Sequence, residues 1–540
     1  MRSIHAALTF SLILVFIASS CATTGYWIPP SSPPTPAAPV VELPTQIPIK
    51  PQPTEPPPTP APTDPPPPPA PTEPPLSPTT PPTVSLPPVS SQSTPTAEIE
   101  AVESSSILYY AQAADTLPVV AVRFGVEPDE ITSTEPIPPT AFINPGQLLI
   151  IPRRLQDTTS SQQLIPDSEV VFSPSTIGFD ANAFAREAGG YLSTKREWLK
   201  SSGVQTAADV IMRVAAENSI NPRLLLSLLE YQSGWVYGQP SPQQIKYPIG
   251  YIDLNEEGLY KQLVWAVNQL SIGYYDYREG RMTEIRFPDG SSARLAPDLN
   301  AGSAALQYFF AQLYQGQRWQ EAVDPENGFM ALHRRMFGDP WERARTVEPL
   351  YPPGITQPPL ILPFVKNWLW AYTGGPHGAW ELDGAYAALD FAPGTMSSGC
   401  VETDTWAVAS ASGLVVRTGT GLVVIDLDGD GYEQTGWVLV YMHLETDERI
   451  QLGEWVATGD QLGHPSCEGG HSTGTHIHLA RKFNGEWVPA DGPLPFNLGG
   501  WIAHNGAAAY KGTLTRDGKT VIACTCSNAA SFVTRTDEDP

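Results

Sequence analysis

The sequence predicts a multidomain α+β protein: a small βααβ module, an α-helical domain and a mainly antiparallel β-sheet domain behind a proline-rich leader. Three observations lead there. The chain has 540 residues, more than the roughly 100–200 residues of one domain. Its 59 prolines, about twice the usual share of about 5%, are bunched, 29 of them within 29–95. The spacing of apolar residues also changes along the chain, from helical periods to alternation past residue 361. The net charge of −25 argues against a nucleic-acid partner, which would select a basic face, and against electrostatic docking on an anionic membrane.

The first residues give the compartment. Arg2, an apolar run from Ala6 to Ala18 and the small residues Ser19 and Ser20 before Cys21 describe an export signal over 1–21. The run is short of the roughly 20 residues a spanning helix needs. A cysteine at this place resembles the lipobox of bacterial lipoproteins, which implies acylation of Cys21 and a membrane anchor. Ala18 stands where that motif usually has Leu, and an ordinary cleaved signal is the alternative. Residues 22–104, with no aromatic residue between Trp27 and Tyr109, cannot bury a core and read as a disordered linker.

Each folded element follows in order. Within 105–155, a short strand from Tyr109 leads to a helix start at Asp115 and Thr116 and a helix carrying Val119, Val120 and Val122. A helical turn from Pro128, an Asn144-Pro145-Gly146 turn and a strand over Leu148–Ile151 complete it. This text resembles the LysM module, which implies binding of N-acetylglucosamine-containing glycans through loops around Asp115–Pro118 and Ile143–Pro145. A linker over 156–179 precedes a helical domain at 180–345, where Asn221 caps a helix opened by Pro222. There NPRLLLSLLEYQSGWV resembles the catalytic helix of lysozyme-like lytic transglycosylases. Gln232 stands where that family has its acidic residue, and Glu230 lies about 200° round the helix, so the resemblance implies a domain without glycosidase activity. A second proline-rich joint over 346–360 leads into the β-sheet domain at 361–505, and 506–540 is a C-terminal extension.

Chemistry gathers in the β-sheet domain. In ALDFAP, Leu389 and Phe391 share one face and Asp390 takes the other; in GTHIHLA, His476 and His478 share a face. In WVLVYMHL, Val438, Val440, Met442 and Leu444 are expected toward the core, with Tyr441 and His443 on the opposite face. An aspartate and three histidines on exposed sheet faces suit zinc, for which neutral imidazole and carboxylate are ordinary ligands.

In order, ALDFAP, YMHL, GDQLGHPS and STGTHIHLARKFNG match the motifs of lysostaphin/LytM-type zinc metallopeptidases over about 120 residues. The resemblance implies a β-sheet groove, one zinc ion and cleavage of peptide bonds in peptidoglycan. It further implies that Asp390 and His478 are metal ligands and that His443 and His476 are the catalytic histidines. Tyr386 replaces the family's first ligand, a His four residues before the Asp. His377, 13 residues upstream of Asp390 in a glycine-containing stretch, is the candidate third ligand; a degenerate site is the alternative.

Asp426, Asp428 and Asp430 have calcium-loop spacing, but Trp437 occupies the place of the closing Glu, and a hairpin turn accounts for them equally well. Of the remaining cysteines, Cys400 and Cys467 are the candidate disulfide, while Cys524 and Cys526 stand too close to make a comfortable pair. The expectation is an exported, lipid-anchored or secreted zinc metalloendopeptidase targeted to the cell wall, with a non-catalytic peptidoglycan-binding protein as the alternative.

Overall fold

The computed structural model describes residues 106–394, 399–526 and 528–539; the signal segment, Cys21 and the linker over 22–104 lie outside them. Strands β1 (Ser106–Tyr110) and β2 (Leu148–Pro152) pair antiparallel around helix α1 (Leu117–Phe124). Thr116 caps α1 by accepting from the Val119 amide, and Gly125 at φ +66° ends it in the left-handed region open to glycine. The second helical turn is one 3₁₀ turn, Pro128–Glu130. Tyr109, Val120, Phe124, Ile143 and Leu149 form a small core of their own.

The helical region is built on α2 (Ala207–Asn218), α3 (Pro222–Ser233), α4 (Leu259–Ser271), α5 (Ala301–Leu313) and α6 (Phe329–Phe337). Thr206 and Asp209 close a capping box on α2, and Asn221 accepts from the Arg223 amide at the start of α3. Helix α3 buries Leu224, Leu225, Leu226, Leu228 and Leu229 and packs against α2 and α6. Among the described residues no helix is long and apolar enough to cross a membrane.

The β region centres on β3 (Leu369–His377), β4 (Ala388–Pro393), β5 (Gly413–Gly419), β6 (Leu422–Asp426), β7 (Trp437–Met442), β8 (Trp455–Val456), β9 (Ile477–Phe483) and β10 (Phe532–Thr534). They hydrogen-bond in the order β8-β5-β6-β7-β9-β4-β3-β10, every pair antiparallel. Residues beyond 505 extend this fold: Gly512–Arg516 and Lys519–Ile522 join Trp501–Asn505 in a four-stranded sheet, and β10 edges the main one.

Both faces of the main sheet are covered. Leu389, Phe391, Val423, Ile425, Leu439, Tyr441 and Leu479 pack into one core, with Ala503, Leu514 and Val521 of the smaller sheet. Ala388, Val424, Val438, Val440, Met442 and Ala480, on the other face, share a core with α2 to α5. The expected open face is therefore corrected. Tyr441 is fully buried and its hydroxyl accepts from the Ser410 amide at 2.7 Å. Leu444 falls in the opposite core from Val440 because the chain turns at His443, φ +63°, and breaks the alternation.

Candidate metal centre

Four adjacent strands bring the polar side chains together. Asp390 on β4 lies directly across from His478 on β9, and His478 in turn faces Met442, one residue before His443. On the other side Asp390 pairs with Gly374 of β3, a strand irregular between Tyr372 and Gly374 and again before His377. A Cβ on Gly374 would come within 2.3 Å of the Asp390 carboxylate, so only glycine leaves room for that side chain. The irregular end of β3 turns His377 onto the same face.

His377 Nε2 stands 3.1 Å from His478 Nδ1, and each lies 3.3 Å from Asp390 Oδ1. His377 Nδ1 lies 2.8 Å from Gly375 O and His478 Nε2 lies 3.0 Å from Ala379 O. A carbonyl can only accept, so those nitrogens carry the ring protons and the facing nitrogens present lone pairs. Three acceptor atoms thus converge in a buried triangle, and Asp390 Oδ1 has no hydrogen-bond partner. Tetrahedral zinc with bonds of about 2.0–2.1 Å holds its ligand atoms about 3.3–3.4 Å apart. The donor set fits zinc.

His443 and His476 stand beside the triangle, ring centroids 4.4 Å apart. Their Nδ1 atoms donate to Glu468 O at 3.0 Å and Gly474 O at 2.7 Å, which leaves Nε2 free on each; His476 Nε2 lies 3.7 Å from Asp390 Oδ1. Burial, with the charges of His476 and His478 adding to it, pushes His443 down to about 3, so it is neutral at pH 7. Burial alone would raise the Asp390 carboxyl, but His377 and His476 more than offset it and hold it well below the usual range. Burial lowers His478; in His377 the Asp390 charge outweighs burial and raises it. Of the four side chains expected on exposed sheet faces, Asp390, His443 and His478 are buried and His476 is half-buried, which corrects that expectation.

Tyr386 is not in the triangle; its ring lies under the Arg281 guanidinium, 4.7 Å away. Tyr510, from beyond the matched motifs, stacks on His377 at 4.1 Å, and only sheet pairing past residue 505 brings it there. Cys400 and Cys467 are joined, Cα atoms 5.7 Å apart, linking the loop after β4 to the loop before His476. Cys524 and Cys526 are joined to each other, which corrects the reading that they stand too close: a bend brings their Cα atoms to 5.0 Å, inside the usual 4.4–6.8 Å window.

Elsewhere, the Asp426, Asp428 and Asp430 carboxylates gather in the loop between β6 and β7. Their oxygens accept from the amides of Asp428, Asp430, Gly431 and Tyr432, bonds that the turn needs with or without an ion. Glu230 accepts from the Val236 and Tyr237 amides and Gln232 Oε1 from the Tyr314 hydroxyl, while Gln232 Nε2 is buried without a hydrogen-bond partner. Of the expected sugar-loop residues, Asp115, Thr116 and Ile143 are buried, while Pro118 and Asn144 remain exposed.

A family model described as "LasA, N-terminal domain" matches residues 163–351, which contain the helical region with the transglycosylase-like text. Protease LasA from two strains of Pseudomonas aeruginosa is 27% identical over 346 residues, 60% of this chain and 76% of the relative. Among solved structures, the M23 metalloprotease pseudoalterin from the deep sea is 23% identical, covering 32% of this chain and 96% of that one, with a TM-score of 0.27. The catalytic domain of lysostaphin from Staphylococcus simulans is 21% identical, covering 23% and 90%, with a TM-score of 0.17.

Proposed function

We infer that this chain, a LasA-like metalloendopeptidase of the M23 (lysostaphin) type with a His-Asp-His metal site, hydrolyses peptide bonds in peptidoglycan outside the cytoplasm. The observation that carries the reading is the buried triangle of His377 Nε2, His478 Nδ1 and Asp390 Oδ1, three atoms spaced like the ligands of one zinc ion. Zinc held there would polarise the scissile carbonyl and activate water. The chain's own residues move the protons. His443 and His476 keep their Nδ1 protons on backbone carbonyls, so Nε2 of one can take a proton from the attacking water. The imidazolium so formed then delivers that proton to the leaving amine.

Two disulfides suit an oxidising compartment and agree with an export signal over 1–21. We assign Cys21 as the lipid anchor and the strand–helix–turn–strand module as a glycan-binding LysM unit; the order of its elements and the exposed Pro118 and Asn144 support the latter. Because Gln232 cannot donate a proton as a carboxylic acid would, we assign the helical region no glycan cleavage. Purified full-length protein should release peptides from peptidoglycan, stop when zinc is chelated, and lose activity in His478→Ala. Undiminished release by that variant would refute the assignment.

A further inference from the structure

We propose that Arg281, in the helical region, is a positioning residue for the metal centre. It fixes the loop that joins His377 to Asp390 and, through that loop, the ring of His478. The inference rests on reading these three side chains as zinc ligands.

The loop over 378–387 leaves β3 directly after His377 and re-enters the sheet at β4, two residues before Asp390. Pairing of β3 with β4 fixes the two ends of this loop, while its interior, which carries the carbonyl that orients His478, must be held separately. Three hydrogen bonds in series hold it. Arg281 Nη2 donates to Gly384 O at 3.0 Å. Next along the loop, the Ala379 amide donates to Ala385 O at 3.1 Å and closes it on itself. Ala379 O then accepts the Nε2 proton of His478 at 3.0 Å, the bond that turns Nδ1 of that ring toward Asp390.

The joint is close on both sides. The Arg281 guanidinium is fixed on the helical region by Asp276 at 2.8 Å and Glu279 at 3.2 Å. It also covers the Tyr386 ring, so the residue that stands in place of a histidine ligand serves to seat the loop. Gly384 has φ +92°, and a Cβ there would approach the side chain of Ser271, the last residue of α4, to 2.8 Å. The loop backbone therefore rests directly on the helical region. Partners that orient a ligand's ring are worth about 10–100-fold in metal affinity.

The test compares the full-length protein with Arg281→Ala, Arg281→Lys, Gly384→Ala and Glu279→Gln. Zinc affinity is measured by competition with a chromophoric chelator, and ligand geometry by the visible spectrum of the Co²⁺-loaded proteins, with a thermal midpoint for each. Arg281→Ala and Gly384→Ala should each weaken zinc about tenfold and alter the cobalt spectrum. Arg281→Lys, which keeps a donor for Gly384 O, should restore part of the affinity. Glu279→Gln, which removes one of the two carboxylates that hold the guanidinium, should weaken zinc by less than Arg281→Ala. A lower thermal midpoint in Arg281→Ala with unaltered zinc affinity and cobalt spectrum would overturn the proposal alone. Wild-type protein that takes up no zinc would overturn the ligand reading and this proposal together.

Discussion

Each histidine at the centre has one nitrogen committed to a backbone carbonyl, and that commitment decides its chemistry. The two that face Asp390 at 3.3 Å are set up as ligands, and the pair with rings 4.4 Å apart as proton carriers. His443→Ala should therefore keep its zinc and lose about 10²–10⁴-fold in kcat, the usual range for a general acid or base; equal loss of metal and rate would place His443 among the ligands instead. Asp390, His476 and His478 were legible in the sequence because strand alternation fixes which neighbours share a face, whereas His443 was legible only through the YMHL motif, since alternation would send it with Tyr441 to the opposite face. His377 was legible only as a candidate, since no local rule says how the 378–387 loop folds. Tyr510 and Gly374 were not legible, as each acts through a contact made by sheet pairing rather than by sequence spacing.

Alternation along the strands implies an open face to the main sheet, yet among the described residues both faces are covered. The sign was present in Trp437–Met442, which is apolar at every position and so reads as a strand buried on both sides rather than one with a wet face. His443, which follows this strand, ends the alternation through its positive φ. The helix starts at Thr206 and Asn221 needed no tertiary information, because capping and an N-terminal proline are local effects. The Cys400–Cys467 bridge closes a span of 67 residues and ties the loops that flank His476. By chain entropy its loss should cost about 4 kcal/mol. The Cys400→Ser/Cys467→Ser pair should unfold at lower denaturant; a midpoint equal to wild type would show that the loops are held by other means.

Across the whole molecule, the helical region and the main sheet are one structure. The Trp487 indole donates to Asn218 O at 3.2 Å, its amide donates to the Tyr275 hydroxyl at 2.9 Å, and Arg278 pairs with Glu486 across the same junction. Sequence composition placed a boundary there because proline clusters at 346–360, yet a linker in sequence does not prevent a shared core. Glu381, on the loop that meets the helical region, is pushed up to about 7 by burial and by the charge of Glu217. Its folded state thus holds a proton that the unfolded chain releases above about pH 4.5. The stability this gives is full below that pH and is lost as pH rises through about 7. Thermal midpoints should fall over that window, and Glu381→Gln should flatten the fall; an unchanged slope in the variant would assign it to other groups. The most direct test of the central claim is the metal content of the full-length protein. Wild type should carry one zinc per chain, and His377→Ala, Asp390→Asn and His478→Ala should each lose it while Tyr386→Phe retains it. Full zinc occupancy in His377→Ala would contradict the account.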